Sequence, residues 1–375
     1  MFRKRRVYLD AAAGITGNPS SPHAEGRAAR ARLDAARAEV AALTETKTDD
    51  VIFTSGATEA NALAVLGVAH AHALRTGKPA RVLYLPTAHA SVIENARLVE
   101  SFGGKAEPLP IVDARVDVEA LRQLVADDVA FISMEAVCGE TGVIWNTREV
   151  KALVDARAVG GGPRAYLHVD ASQAPFTEKL TRAHFGADLL VLDGAKVGPR
   201  GIGCLIAHRT VPLLPLYAGG GQERGLRPGS EAPELAEAFA AALRAAANKR
   251  DAFRDRAARD RAALIARVTA RVPSVLITEG ELQAPNIVNL SLPGRDTDFL
   301  VALLDEAGFA VSTRSACETD SEEGSRAVYA LTGDRERARA TLRISWGPDV
   351  SAGALSRFAA AFVRAVGFID SSVRR

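Results

Sequence analysis

Three short stretches carry residue types that can grip and activate a small ligand. The first is Thr54-Ser55-Gly56-Ala57-Thr58, between the apolar run Val51-Ile52-Phe53 and a helical stretch. Glycine lets the backbone turn sharply. The amides that open the helix point outward, where the dipole favours an anion, and Thr58 adds a hydroxyl. This is a cradle for phosphate, although a threonine-capped helix start has the same appearance. The second is Asp170, which closes the apolar run Tyr166–Val169. Open α/β sheets bind ligands at such strand ends. A buried carboxylate there needs a cation, either a protonated pyridine nitrogen or an ordinary basic side chain. The third is Lys196, which follows the run Asp188–Leu192 and precedes the loop Val197-Gly198-Pro199-Arg200-Gly201. Lysine amines are mostly solvated, but one in a desolvated, electropositive site forms a Schiff base with a carbonyl. Phosphate, ring nitrogen and aldehyde are the three handles of pyridoxal 5'-phosphate (PLP), and the three stretches together point to it.

These residues need elements to place them. Short β-branched runs alternate with longer Ala/Arg/Leu-rich stretches, the pattern of an α/β fold with a mainly parallel sheet flanked by helices. Strands are expected at Val51–Phe53, Arg81–Leu85, Val129–Ser133, Tyr166–Val169, Asp188–Leu192 and Gly203–Ala207. Helices are expected at about His23–Leu43, with Ser21 as cap and Pro22 in the first turn, and at Glu59–Arg75, Ala90–Phe102, Val116–Ala126 and Thr147–Val159. A long helix, Glu234–Val272, leads into a smaller α+β unit. That unit holds strands Ile287–Leu290, Ala310–Thr313 and Thr341–Trp346 and helices Thr297–Ala307 and Ala352–Val366. The expected division is a large cofactor domain at 14–240 and a small α+β domain formed by 1–13, with a strand at Val7–Leu9, and 241–375.

Composition narrows the class. The chain has 375 residues, three cysteines, and 47 basic against 45 acidic residues, a formal charge of +2. Three cysteines cannot staple a disulfide scaffold. No apolar run of roughly 20 residues suggests a membrane span. Arg3, Lys4, Arg5 and Arg6 alone exceed the net charge, so no direct nucleic-acid partner is expected. That basic start lacks a following apolar region, so the cytoplasm is the expected compartment.

Over nearly its whole length the sequence resembles the cysteine desulfurases, within the class V aminotransferases of the type I PLP-dependent transferase fold. The resemblance rests on Tyr8-Leu9-Asp10-Ala11-Ala12, Phe53-Thr54-Ser55-Gly56-Ala57-Thr58-Glu59 and His168-Val169-Asp170-Ala171-Ser172-Gln173. It continues through the segment from Gly219 to Ser230, Ser315-Ala316-Cys317 and Leu342-Arg343-Ile344-Ser345-Trp346-Gly347. It implies that Lys196 holds PLP, Asp170 pairs with its ring nitrogen, Gln173 reaches its phenolic oxygen and His89 stacks on its ring, where an imidazole could also pass protons as a catalytic group. Gly56, Ala57 and Thr58 would bind phosphate, together with Ser230 from a neighbouring subunit, which implies a homodimer with shared sites. Arg343 and Asn18 would bind L-cysteine, and no metal is implied. Cys317 lies in a small, polar stretch unlike the surroundings of a packing cysteine. The resemblance, closest to the family's long-loop branch, makes its thiolate the nucleophile that takes the substrate's sulfur as a persulfide, leaving alanine. An acceptor protein in iron–sulfur cluster assembly or tRNA thiolation would receive the sulfur. Cys138 and Cys204 are expected to pack.

Four departures from the family pattern stand out. Gly139 replaces an asparagine before Glu140-Thr141-Gly142. Asp193 and Ala195 replace the phosphate-binding Ser and His around Lys196, and a carboxylate beside a phosphate is repulsive. The loop after Lys196 is one residue short. The Asp10–Ala13 motif runs almost directly into Gly17-Asn18-Pro19, without roughly twenty residues of intervening helix. Two other readings follow. One is a different class V activity, a selenocysteine lyase or an aminotransferase. The other is a non-catalytic dimeric scaffold for sulfur-transfer partners.

Overall fold

Strand and helix alternation produces the expected layered architecture. The computed structural model describes residues 6–15, 17–125, 129–159, 164–313 and 324–373. Cys317 lies outside the described residues. The first part of the chain runs α1 (Ala24–Thr44), β1 (Val51–Thr54), α2 (Ala57–Thr76), β2 (Arg81–Tyr84), α3 (Ala90–Leu98) and β3 (Lys105–Pro108). A hairpin of β4 (Ile111–Val112) and β5 (Arg115–Val116) follows, then α4 (Val118–Leu124), β6 (Val129–Glu135), α5 (Thr147–Val159), β7 (Tyr166–Asp170), α6 (Arg182–Phe185), β8 (Leu189–Asp193) and β9 (Gly203–Ala207). The second part contains α7 (Pro233–Arg271), β10 (Leu276–Thr278), β11 (Ile287–Ser291), α8 (Thr297–Glu306), α9 (Arg326–Thr332), α10 (Arg335–Arg339), β12 (Thr341–Ser345) and α11 (Ala352–Val373).

The large sheet has the order β1-β9-β8-β7-β6-β2-β3. Strands β3, β2, β6, β7 and β8 are parallel. Strand β9 runs antiparallel to β8, and β1 runs antiparallel to β9, which restores the common direction. Every strand except β9 therefore delivers its C-terminal end to one edge of the sheet. Strands β6 and β7 are buried along their whole length, including the polar Ser133, Glu135, His168 and Asp170, as expected where helices cover both faces of a parallel sheet.

Helix α2 packs on this sheet through Leu63, Ala64, Val65 and Val68, all nearly inaccessible. Helix α7 spans 39 residues, about 58 Å at the usual rise. Its first half enters the large core through Phe239 and Leu243, and its second half enters a smaller core through Phe253, Leu264 and Val268. The three-stranded antiparallel sheet β10-β11-β12 and α11 complete that smaller core. Contrary to the expectation that no apolar run is that long, helix α11 is long and apolar enough to cross a membrane by length and composition. Its Leu355, Phe358, Phe362 and Val366 are instead buried in the smaller core.

Several local expectations are corrected. His23, not Ser21, caps α1, accepting the Gly26 amide at 3.2 Å, and Pro22 lies before the cap. The Ser21 hydroxyl donates instead to Asp10 at 2.7 Å. No strand forms at Val7–Leu9. Val7 and Leu9 are exposed, and this stretch ties to the start of α1 through Arg6–Glu25 and Asp10–His23. Ala310–Thr313 is not a strand; a single bridge joins Ser312 to Arg343. β-branched composition favours strands only where a partner edge completes the ladder.

Candidate active site

The common edge collects the sequence-predicted residues. The Ser55–Thr58 turn leaves β1, His89 follows β2, the Cys138–Glu140 loop follows β6, Asp170 and Gln173 leave β7, and Lys196 leaves β8. Ligands of open α/β sheets sit at this end of the strands.

At the cradle, Gly56 has φ 153° and no side chain caps α2, so the first amides of the helix keep their hydrogen-bonding capacity for an anion. The backbone passes close to β9. A Cβ on Gly203 would meet the Gly56 backbone at 2.8 Å, which explains why glycine stands there. Glu59 braces the turn. It accepts the Ser55 amide at 2.6 Å, Arg227 at 3.0 Å and the Tyr217 hydroxyl at 3.1 Å. Burial alone would raise its carboxyl, but the Ser55 amide and Arg227 outweigh burial and hold it below the usual range. Glu59 thereby links the cradle to the segment that carries the exposed Ser230.

Asp170 is buried at the end of β7, 7% exposed. Its carboxylate accepts Asn61 Nδ2 at 2.7 Å and the Ser172 amide at 2.9 Å. Among the described residues no cationic side chain pairs with it. Its neighbour on the same strand, His168, cannot serve, because burial pushes that imidazole down to about 4 despite the pull of Asp170. Beside Asp170, in register on β6, lies Glu135. Burial, and further the Asp170 charge, raise its carboxyl well above the usual range, although Thr87 donates to it at 3.0 Å. A buried carboxylate with no cationic side chain paired to it among the described residues fits a cationic ring nitrogen.

Lys196 ends the single-turn helix Gly194–Lys196 and is exposed at the edge. A Cβ on Gly194 would strike the Pro199 and Ile202 carbonyl oxygens within 2.6 Å, so glycine is required to make this turn. With an anion cradle after β1, an uncompensated carboxylate at the end of β7 and an amine after β8, all at one edge of the sheet, the residues present fit PLP. Lys196 would hold its aldehyde and Asp170 its ring nitrogen.

The departures acquire physical content here. A Cβ on Gly139 would lie 3.0 Å from the Gln173 amide nitrogen, so the missing asparagine leaves the space that Gln173 occupies. Asp193 is less benign. Its Oδ1 accepts the Ala195 amide at 3.3 Å and faces Gly56, 3.6 Å from where a Cβ would stand. A carboxylate therefore sits at the phosphate cradle. Asp193→Ser, which keeps a capping oxygen, is expected to tighten PLP binding by about tenfold, since a carboxylate at the cradle would oppose a bound phosphate by about 1.4 kcal/mol or more. Fluorescence titration of the stripped protein measures it. An unchanged affinity would show that Asp193 does not oppose the phosphate.

Arg343 lies on β12 opposite Asn289 and donates to the Gly139 carbonyl at 3.2 Å. Its backbone bonds Ser312, while Ser325 donates to Glu140 at 2.5 Å. Both described ends of the segment that holds Cys317 are thus fastened beside Arg343 and the 138–140 loop. Asn18 closes its own loop, donating to the Ala13 carbonyl and accepting the Ser20 amide. Cys204 and Cys138 are buried, and burial raises both thiols, the state of inert packing cysteines. Asn61 and Ser91, which join His89 to Asp170, escaped the sequence reading.

The fold and this edge define an enzyme of the aminotransferase type. The family model for class V aminotransferases matches residues 7–358. The cysteine desulfurase IscS 1 of Archaeoglobus fulgidus is 34% identical over 88% of this chain and 85% of its own. The putative cysteine desulfurase IscS 1 of Bacillus subtilis is 31% identical over 91% and 93%. Among solved structures, a NifS-like protein superposes with a TM-score of 0.85 at 26% identity, covering 94% of this chain and 92% of that one. DndA of Streptomyces lividans gives 0.74 at 30% identity, over 90% and 93%. The chain belongs to the class V aminotransferase family and, within it, to the cysteine desulfurases.

Proposed function

We propose that this chain is a PLP-dependent L-cysteine desulfurase that yields L-alanine and a persulfide on Cys317. The observation that carries the proposal is the meeting, at one sheet edge, of Lys196, Asp170 and His89 with both described ends of the Cys317 segment. Bound PLP supplies the electron sink for bond breaking at the substrate carbons. The chain does the rest. Arg343 offers a planar fork to the substrate carboxylate. Lys196 moves protons at its amine once it has released the cofactor. The Cys317 thiolate attacks the substrate sulfur, and the carbon–sulfur bond breaks with its electron pair left on carbon. That carbon takes a proton, and the sulfur stays on Cys317 as a persulfide. The protein works as a cytoplasmic homodimer in which Ser230 completes the partner's phosphate site, and the sulfur passes to an acceptor protein in iron–sulfur cluster assembly or tRNA thiolation. These last points extend the family resemblance.

Purified protein mixed with L-cysteine is expected to release alanine and to gain one sulfur on the peptide that contains Cys317, read by mass spectrometry. Alanine release with no sulfur on that peptide would favour a selenocysteine lyase or another class V activity. No PLP absorbance after reconstitution would favour the non-catalytic scaffold, the reading that Asp193 at the cradle supports.

A further inference from the structure

Two residues that would touch the cofactor ring, Asp170 and His89, are not independent. Asn61 is fully buried on the second turn of α2. Its Nδ2 donates to Asp170 Oδ2 at 2.7 Å and to Ser91 Oγ at 2.9 Å. The opposite orientation of this amide would aim its oxygen at the Asp170 carboxylate, so the donor assignment is forced by charge. Ser91 Oγ lies 2.8 Å from His89 Nδ1. That oxygen accepts from Asn61 and still has its own proton to give to Nδ1. The Ser91 backbone amide, which can only donate, also points at Nδ1, at 3.1 Å, and makes the His89 ring the cap of α3. Two donors converge on one ring nitrogen. Nδ1 must carry a lone pair, and the single proton of the neutral ring falls on Nε2.

We propose that Asn61 and Ser91 are positioning residues that lock His89 as its Nε2–H tautomer, so that His89 serves the site as a hydrogen-bond donor and not as a proton acceptor. A neutral imidazole N–H stabilises charge growing on a facing atom. It cannot remove a proton, because its one lone pair is held by Ser91. Proton transfer then falls to Lys196. Asn61 ties this arrangement to Asp170, so displacement of the carboxylate disturbs His89 as well. The inference rests on the desulfurase reading for the reaction that His89 serves. The tautomer itself is a property of the chain.

The test is nuclear magnetic resonance of the holoenzyme labelled with 15N-histidine, correlating ring nitrogens with ring protons, with His89→Gln used to identify the His89 signals. The wild type is expected to show Nε2 protonated and Nδ1 bare. Ser91→Ala and Asn61→Ala are expected to shift the ring to a mixture of tautomers, and Ser91→Thr to restore one. A purely structural role for these residues would leave the tautomer unmoved. A protonated Nδ1 or an averaged ring in the wild type, or an unchanged ring in Ser91→Ala, overturns the proposal. If Asn61→Ala does not fold, the serine variants decide. Alanine release, measured on the same sample, judges the desulfurase reading separately.

Discussion

Lys196→Ala is expected to abolish turnover and to let the cofactor wash out of the protein. Two effects combine. The residue is the covalent anchor proposed for PLP, and without it the cofactor keeps only noncovalent contacts, of which Asp193 already opposes the one at the phosphate. Lys196 is also the proton carrier once His89 is restricted to donation, and loss of a positioned proton-transfer group alone lowers a rate by roughly 10²–10⁴-fold. Alanine release and the visible spectrum after desalting measure the two effects independently. Lys196→Arg should fail as fully, because guanidinium keeps the charge but does not form the Schiff base. Cys317→Ala separates the functions the other way. It is expected to keep its absorbance and its spectral response to L-cysteine while losing sulfur delivery to an acceptor. A Lys196→Ala protein that turns over cysteine at the wild-type rate would remove PLP chemistry from this chain. A Cys317→Ala protein that delivers sulfur normally would remove the assigned nucleophile.

The parts of this site that were legible in the sequence are those written in local pattern. Asp170 and Lys196 each follow an apolar run, and the structure places both at strand ends. Helix α5 begins and ends at the expected residues. The order of strands was not legible, because pairing β9 between β1 and β8 depends on registers such as Val51 with Ile206, far apart in the chain. Strands β3 and β10 were missed for a related reason. Both are three or four residues long with mixed polarity, and the neighbouring strand makes them. Asn61 left one usable trace. It is a lone amide inside the otherwise apolar stretch Ala60–Leu66, and a polar group on a buried helix face must find a partner. Which partner it finds depends on Asp170, 109 residues away. Val7–Leu9 shows the converse error, since an apolar alternating triplet without a waiting edge stays exposed.

Long-range polar contacts of this kind also protect the fold, and Glu223→Ala is expected to give a large stability loss, about 3–5 kcal/mol. Strand β1 is an edge of the large sheet, so one row of its backbone groups has no strand beside it. Such edges need cover. Here an ion pair supplies it. Arg37 on α1 donates to both Glu223 oxygens at 2.8 and 2.7 Å and to the Val51 carbonyl at 2.7 Å, while Glu223 accepts the Phe53 amide at 2.9 Å. The two side chains are 15% and 2% exposed. Burial pulls the guanidinium down, but bonding to Glu223 outweighs it and leaves Arg37 more basic than usual. Removing the carboxylate strands a buried cation over the Phe53 ring, 4.9 Å away, and orphans the Phe53 amide. Glu223 holds this place at φ 47°, a left-handed conformation costly for a side-chain-bearing residue, so the bonds it makes must offset that strain. Urea unfolding should therefore show Glu223→Ala and Arg37→Met each destabilising, with the double variant costing less than the sum. The cradle begins two residues beyond Phe53, so Glu223→Ala should also weaken PLP retention while Arg343→Ala, at the other side of the site, should not. Additive single and double effects would show that the pair does not act as a unit.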